Sequence, residues 1–158
     1  MTRLLGLDVG ERRIGVAIAD ADGRAMPLTT LRRSDDPARD GTALAQLMEQ
    51  HDVAEVIVGL PLDVSGGEGS QAVATRAWVA SVGPFLDAPV RYRDERLSSH
   101  LAEQRLGPMK RGRSGGPPTR SQRDAWRSRV DREAAAIILQ DELDARATDP
   151  NPQTEATT

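Results

Sequence analysis

The beginning of the chain alternates between short apolar runs and turn residues. Leu4 to Val9 and Ile14 to Ala19 are apolar runs separated by a four-residue polar interval. Asp22 and Gly23 mark a second turn, after which Met26 to Leu31 form a weaker apolar run. Runs of this length joined by turn residues favour strands that pair with their chain neighbours. The pattern therefore predicts a three-stranded antiparallel meander.

Beyond the meander, helical and strand patterns alternate. Asp36 before Pro37 predicts a helix that ends near His51. The unbroken apolar row in Val53 to Leu60 is typical of a strand buried on both faces, and Val90 to Arg93 predicts a last short strand. The order of elements predicts an α/β fold with a five-stranded mixed sheet, in which the meander is followed by parallel strands reached through right-handed helical crossovers. The first strand should lie near its centre.

Three further helices are predicted. One is capped by Ser70, one is capped by Ser98 or Ser99, and the last runs from Ser121 to Arg146. Helical spacing assigns the apolar face of the first of these to Val73, Ala77, Ala80 and Val82. Before the last helix, residues 107–120 hold three prolines and four glycines, which predicts a mobile surface loop. We expect one domain over residues 1–146 and a disordered tail over residues 147–158.

Composition excludes several kinds of site. The chain has no cysteine and only two histidines among 158 residues, which excludes a disulfide framework, a thiolate or histidine-rich metal site and a cysteine nucleophile. Any bound metal ion would have to be a hard ion that prefers oxygen ligands. No segment approaches the length of a membrane span, and the first ten residues lack the order of a signal peptide, so a cytoplasmic location is predicted.

Charge is unevenly distributed along the chain. The net charge is -3, yet the segment from Lys110 to Val130 holds seven cations and one anion. The cations are Lys110, Arg111, Arg113, Arg120, Arg123, Arg127 and Arg129. This basic segment predicts binding of a nucleic acid through its phosphates, and the scarcity of aromatic residues, 3%, argues against base stacking. Arg12 and Arg13 in the first turn are further candidates for phosphate contacts, although simple solvation explains them equally well.

Asp8 is the first polar residue after the apolar run of the first strand. An unpaired carboxylate in a buried strand is costly, so Asp8 needs a partner. That partner is either a ligand in a functional site or the backbone N–H groups of the turn at Gly10. This residue alone does not decide between the two.

Two other positions carry acids that are candidates for the same site. Asp94 and Glu95 follow the last strand, at the edge where open α/β sheets bind ligands, and alternation along the chain lets only one of them face a shared site. Asp131 lies on the last helix one turn before a pair of alanines, which directs it toward the sheet. The alternative for Asp131 is an ordinary exposed ion pair with Arg127.

Together, the acids on three separate elements predict a metal-dependent site. Carboxylate oxygens suit Mg²⁺ or Mn²⁺, and two such ions can stabilise the attacking and leaving oxygens of a phosphoryl displacement. The basic segment leads directly into Asp131, so a nucleic acid bound there would lie beside the acids. The residues therefore predict hydrolysis of phosphodiester bonds.

Four blocks of the sequence closely resemble the YqgF/RuvX family. They are Gly6–Gly10 with Arg13–Ala17, Val58–Leu62, Asp94–Ser98, and Asp131 followed by Ala134, Ala135 and Ile138–Gln140. The resemblance implies an RNase H-like fold and a nuclease that processes the 5′ end of pre-16S rRNA or resolves branched DNA such as Holliday junctions. It also implies that Asp8, Glu95 and Asp131 are the metal-binding catalytic acids, with Asp94 in reserve.

Two other functions fit parts of the pattern. One is a non-catalytic factor that binds ribosomal RNA during ribosome assembly and uses the acids only incidentally. The other is a nucleotide-binding, ATPase-like domain, because Asp8-Val9-Gly10 before a second strand resembles a phosphate motif of the actin and sugar-kinase superfamily. Such proteins need two lobes around the nucleotide, and this chain has the length of one. Metal-dependent cleavage separates the nuclease from both alternatives.

Overall fold

The computed structural model describes residues 3–20, 22–95, 97–112 and 114–148. Its five strands form one sheet in the order β3-β2-β1-β4-β5. They are β1 (Arg3–Val9), β2 (Arg13–Ala19), β3 (Ala25–Arg32), β4 (Val53–Pro61) and β5 (Val90–Glu95). β1 pairs antiparallel with β2 and parallel with β4, and β4 pairs parallel with β5. The predicted mixed sheet, with the first strand at its centre, is confirmed.

Helices cover both faces of this sheet. They are α1 (Pro37–Gln50), α2 (Ser70–Val82), α3 (Ser98–Leu106) and α4 (Arg120–Thr148). Alternation along the strands divides the core: Leu5 and Leu7 pack with α1 and α2, whereas Leu4 packs with α4. Because α4 extends to Thr148, it includes the first two residues of the predicted tail; residues 149–158 lie outside the described residues. Among the described residues, no helix combines the length and apolar character that crossing a membrane requires.

The inner face of α2 differs from the predicted one. Val73 is 61% exposed, and Ala77 and Ala80 are exposed as well. The helix buries Val82, as predicted, but together with Ala72, Thr75 and Trp78. Burial of an indole ring gains more free energy than burial of a valine, so the helix turns Trp78 inward, where its ring nitrogen lies 3.4 Å from the buried carboxylate of Asp40.

Two predicted serine caps are also wrong. Ser70 is the first residue of α2, and Gly69 before it offers no side chain to cap the helix. At α3 the cap position belongs to Leu97, while the Ser98 hydroxyl donates a hydrogen bond to the Glu95 carboxylate. Glu95 therefore competes for the hydroxyl that sequence reasoning assigned to the helix end.

The long helix α4 lies directly on the backbone of the sheet. A β-carbon at Gly15 would lie 1.9 Å from the carbonyl oxygen of Asp131, and one at Gly6 would lie 2.9 Å from that of Ala135. These distances are far below van der Waals contact, so the two glycines permit the packing. The predicted close approach of α4 is confirmed, and it places Asp131 over the beginning of β2.

Candidate active site

A cavity of about 560 Å³ opens at the end of the sheet where the parallel strands finish. Asp8 enters it from β1, Glu95 from the last position of β5 and Asp131 from α4. Polar residues at the beginning of α2, including Ser70, line the opposite wall. The structure therefore brings the three predicted acids together, although successive members of the set are at least 36 positions apart in the sequence.

Of the two adjacent acids on β5, only Glu95 lines the cavity. Asp94 is exposed, as alternation along an extended strand requires. Gly59 on the neighbouring β4 leaves room for the Glu95 carboxylate, because a β-carbon at this glycine would lie 3.2 Å from Glu95 Oε2. Ser98 donates its hydrogen bond to the other oxygen, Oε1. The Ser98 hydrogen bond holds Glu95 in its orientation toward the cavity, in space that the absence of a side chain at Gly59 leaves open.

The acids affect one another electrostatically. The pKa of Asp8 is raised well above its ordinary value, first by burial and then by the negative charges of Glu95 and Asp131. The pKa of Glu95 is raised by burial, against the opposing effect of the Ser98 hydrogen bond. Asp8 therefore lies in a negative potential that a bound cation would relieve.

Asp131 is held by an arginine from the first turn. Arg13 Nε donates a hydrogen bond to Asp131 Oδ2 at 2.6 Å, and the two side chains are 28% and 22% exposed. Asp131 thus pairs with Arg13 rather than with Arg127, the partner considered from helical spacing. Arg13, a candidate for phosphate contacts, is engaged by a carboxylate in this structure.

The donor set of the cavity fits a hard dication. It offers carboxylate oxygens from three elements, and their mutual repulsion raises the pKa of Asp8. Within the described ranges, however, no three acidic or histidine side chains converge closely enough to enclose one ion. Glu11, in the turn after β1, also lines the cavity. Of the three predicted acids, Asp131 pairs with Arg13, whereas Asp8 and Glu95 form no ion pair with a described arginine, so these two would hold the ion first.

None of the described members of the predicted basic set lines the cavity. Arg12 is exposed, as are Lys110, Arg111, Arg120, Arg123 and Arg127, while Arg113 lies outside the described residues. The loop before α4 is tied to the helix, because Gln122 donates to the Arg111 carbonyl and Arg123 donates to that of Pro118. Apart from Arg12, these cations lie in the loop before α4 or in the first turns of that helix. The described ones do not line the cavity that holds the acids.

Sequence reasoning missed Arg33, the one described cation that lines this cavity. Its guanidinium donates to the Gly10 carbonyl at 2.9 Å and lies 5.9 Å from the centre of the Trp78 ring. It forms no ion pair with any described residue, and it also lines a neighbouring cavity of about 510 Å³. Arg33 reaches the site because β3 pairs with β2, a register that composition and spacing do not reveal.

Comparison with known proteins decides the family. The family described as RuvX, Holliday junction resolvase, matches residues 2–145. The chain belongs to the RuvX family. Relatives named "Putative pre-16S rRNA nuclease" include a Chloroflexus aurantiacus protein, 43% identical over 94% of this chain and 90% of its own length. Another, from Anaeromyxobacter sp., is 42% identical over 92% of this chain and 98% of its own.

A solved structure shows the same fold as this RuvX family member. Thermus thermophilus RuvC, determined with a Holliday junction substrate, aligns with a TM-score of 0.51 at 15% identity, covering 94% of this chain and 97% of RuvC. The RNase H-like fold implied by the sequence blocks is therefore confirmed. The family description and the names of the relatives are those of nucleases, which agrees with the predicted hydrolysis of phosphodiester bonds.

Proposed function

We propose that this protein is a divalent-metal-dependent nuclease in which Asp8, Glu95 and Asp131 are the catalytic acids. One observation carries the proposal: the three carboxylates, each from a different element, line one cavity, where burial and then the charges of Glu95 and Asp131 raise the pKa of Asp8. Structural roles do not require such repulsion, which destabilises the fold unless a cation is bound. The domain responsible is the one expected over residues 1–146.

The substrate class favoured is structured RNA, and specifically the 5′ end of pre-16S rRNA. The names of relatives at 42–43% identity support this choice. Branched DNA is the second substrate, supported by the family description. Both are polyanions, and the exposed arginines near α4 suit either backbone.

Bound between the acids, Mg²⁺ or Mn²⁺ would activate water and stabilise negative charge on the phosphate. Asp8 and Glu95 would hold the cation, and Ser98 would keep the Glu95 carboxylate turned toward it. Arg33 would bind a phosphate beside the acids, since its guanidinium lines the same cavity without a carboxylate partner. Arg12 and the basic segment would hold the flanking strand.

A matched pair of variants on β5 tests this function. Glu95→Gln is expected to lower kcat at least about 100-fold, because it removes a charged ligand of the ion. Asp94→Asn, which removes the same charge one residue earlier but outside the cavity, should stay within about twofold. The assay follows cleavage of a pre-16S 5′-precursor RNA and of a four-way DNA junction, each with Mg²⁺, Mn²⁺ or EDTA.

Three outcomes of that assay would contradict the proposal. Cleavage that persists in EDTA would exclude a metal-dependent reaction. Equal activity of the two variants would remove Glu95 from the site. Binding of the RNA with no cleavage by the unmodified protein in either metal ion would favour the non-catalytic assembly factor. Preference for the junction over the RNA would assign branched DNA as the substrate.

A further inference from the structure

We propose that Arg13 is a latch on Asp131: it pairs with this carboxylate in the free protein and transfers to a substrate phosphate when nucleic acid binds, which releases Asp131 to the metal ion. This inference rests on the proposed function. It makes cation binding and nucleic-acid binding cooperative, since each favours the state in which the latch is open.

The contact between the Arg13 and Asp131 side chains is monodentate. Only Nε of Arg13 binds Asp131 Oδ2, at 2.6 Å, and neither Nη group has a hydrogen-bond partner among the described residues. Those two groups form the fork that binds phosphate oxygens in pairs. A phosphate arriving at the first turn therefore finds donors on the same guanidinium that holds Asp131.

Asp131 faces the cavity, whereas Arg13 does not belong to its lining. The guanidinium thus reaches the carboxylate from the β2 side, and Asp8 and Glu95 lie on the cavity side. Loss of the pair would leave the Asp131 carboxylate without its arginine partner in a cavity that Asp8 and Glu95 also line. In this structure Asp131 is engaged by Arg13, and no three of the described acids form a closed ligand set.

The main chain around the latch is held in place, so only side chains are free to switch. Gly15 and the Asp131 carbonyl are in close backbone contact, as the 1.9 Å distance to an added β-carbon shows. Thr30 Oγ1 donates to the carbonyl oxygen of Ser128 at 2.5 Å, which fastens α4 to β3 one turn earlier. Both side chains keep some contact with solvent, at 28% and 22% exposure, so an incoming phosphate can reach the guanidinium and compete with the carboxylate for it.

The direction in which Arg13→Gln changes Mn²⁺ affinity distinguishes a latch from a merely structural contact. Mn²⁺ binding to the metal-free protein is measured by the electron paramagnetic resonance of free Mn²⁺, with and without a structured RNA or a DNA junction. If Arg13 withholds Asp131, Arg13→Gln should bind Mn²⁺ about fivefold more tightly without nucleic acid. If Arg13 only orients Asp131 as a ligand, the same variant should bind Mn²⁺ more weakly.

Two further variants control for charge. Arg105→Gln removes an arginine that pairs with Glu133 outside the cavity lining, and should change Mn²⁺ affinity without nucleic acid by less than about twofold. Arg13→Lys keeps a cation near Asp131 and should bind Mn²⁺ like the unmodified protein. In the unmodified protein, nucleic acid should tighten Mn²⁺ binding about fivefold, and in Arg13→Gln this coupling should fall to near one. Circular dichroism checks that each variant is folded.

The latch is overturned if Arg13→Gln binds Mn²⁺ no more tightly than Arg105→Gln, or if it retains the full coupling to nucleic acid. It is also overturned if nucleic acid leaves Mn²⁺ affinity of the unmodified protein unchanged. Failure of the proposed function has a different signature, which is the absence of cleavage by the unmodified protein. Mn²⁺ affinities of the two glutamine variants are measured without nucleic acid and so do not depend on cleavage.

Discussion

Asp8→Asn is expected to abolish cleavage and to stabilise the metal-free protein at neutral pH. Activity should fall at least about 100-fold, because the variant loses the charged oxygen that lies deepest among the acids. The free energy of unfolding should rise by about 2 kcal/mol, because the neutral amide avoids both burial of a charge and repulsion from Glu95 and Asp131. Urea unfolding in EDTA, compared with a cleavage assay, measures both effects.

The pH dependence of the unfolding free energy provides a second test of the Asp8→Asn variant. Since the pKa of Asp8 is higher in the folded than in the unfolded protein, the folded state binds more protons between the two pKa values. The contribution of Asp8 to stability is therefore greatest at acidic pH, and it is lost as pH rises through the folded pKa. In Asp8→Asn the loss of stability that comes from Asp8 should be absent. Any loss of stability that remains as pH rises should come from Glu95, whose pKa is also raised.

Asp94→Asn is the control for these unfolding experiments, because it removes an exposed carboxylate of the same sheet end. It should leave the unfolding free energy within about 0.5 kcal/mol. If Asp8→Asn destabilised the protein at neutral pH, Asp8 would be a satisfied structural residue of the turn, the alternative considered from the sequence. Retained activity in this variant would remove Asp8 from the reaction.

Gly15→Ala is expected to produce the largest structural effect. The new β-carbon would lie 1.9 Å from the carbonyl oxygen and 2.2 Å from the carbonyl carbon of Asp131, so the backbone of α4 has to move. We expect a loss of about 3 kcal/mol in unfolding free energy, at the upper end for overpacking, because neither β2 nor α4 presents a side chain there that could yield. Cleavage should fall as well, since Asp131 moves with the helix.

Gly67→Ala is the matched control for this substitution. Its added β-carbon would meet its nearest neighbour, Asp63 Oδ2, at 3.5 Å, an ordinary contact in a loop. Its unfolding free energy should change by no more than about 0.5 kcal/mol. Equal stability of the two variants would mean that α4 does not rest on the backbone of β2, and the placement of Asp131 would then need revision.

The sheet could be predicted because its signals are local. Each strand is a short apolar run between turn residues, and the unbroken row around Ile57 marks a strand covered on both faces. The face of α2 could not be predicted in the same way, because valine and alanine residues offer a second stripe beside that of Trp78. Only contact with Asp40 and the α1 side of the core selects the stripe that is buried.

The same distinction between local signals and tertiary contacts applies to the residues of the site. Asp8 and Asp131 could be proposed from the sequence, since a carboxylate in a buried run or beside closely packed alanines needs an explanation. Because side chains alternate along a strand, only one of Asp94 and Glu95 could face the site, and the family resemblance indicated Glu95. Arg33 and the partner of Asp131 could not be predicted, because both depend on the pairing of β2 with β3 and the crossing of α4 over them.

Anomalous diffraction from crystals grown with Mn²⁺ tests most directly whether these acids form a metal site. We predict a peak in the cavity at about 2.1 Å from carboxylate oxygens of Asp8 and Glu95. The same crystals with a bound oligonucleotide should show Asp131 at a comparable distance from the ion and Arg13 turned to a phosphate. A cavity free of anomalous density at saturating Mn²⁺, or a peak coordinated by neither Asp8 nor Glu95, would contradict the assignment of this protein as a metal-dependent nuclease with these catalytic acids.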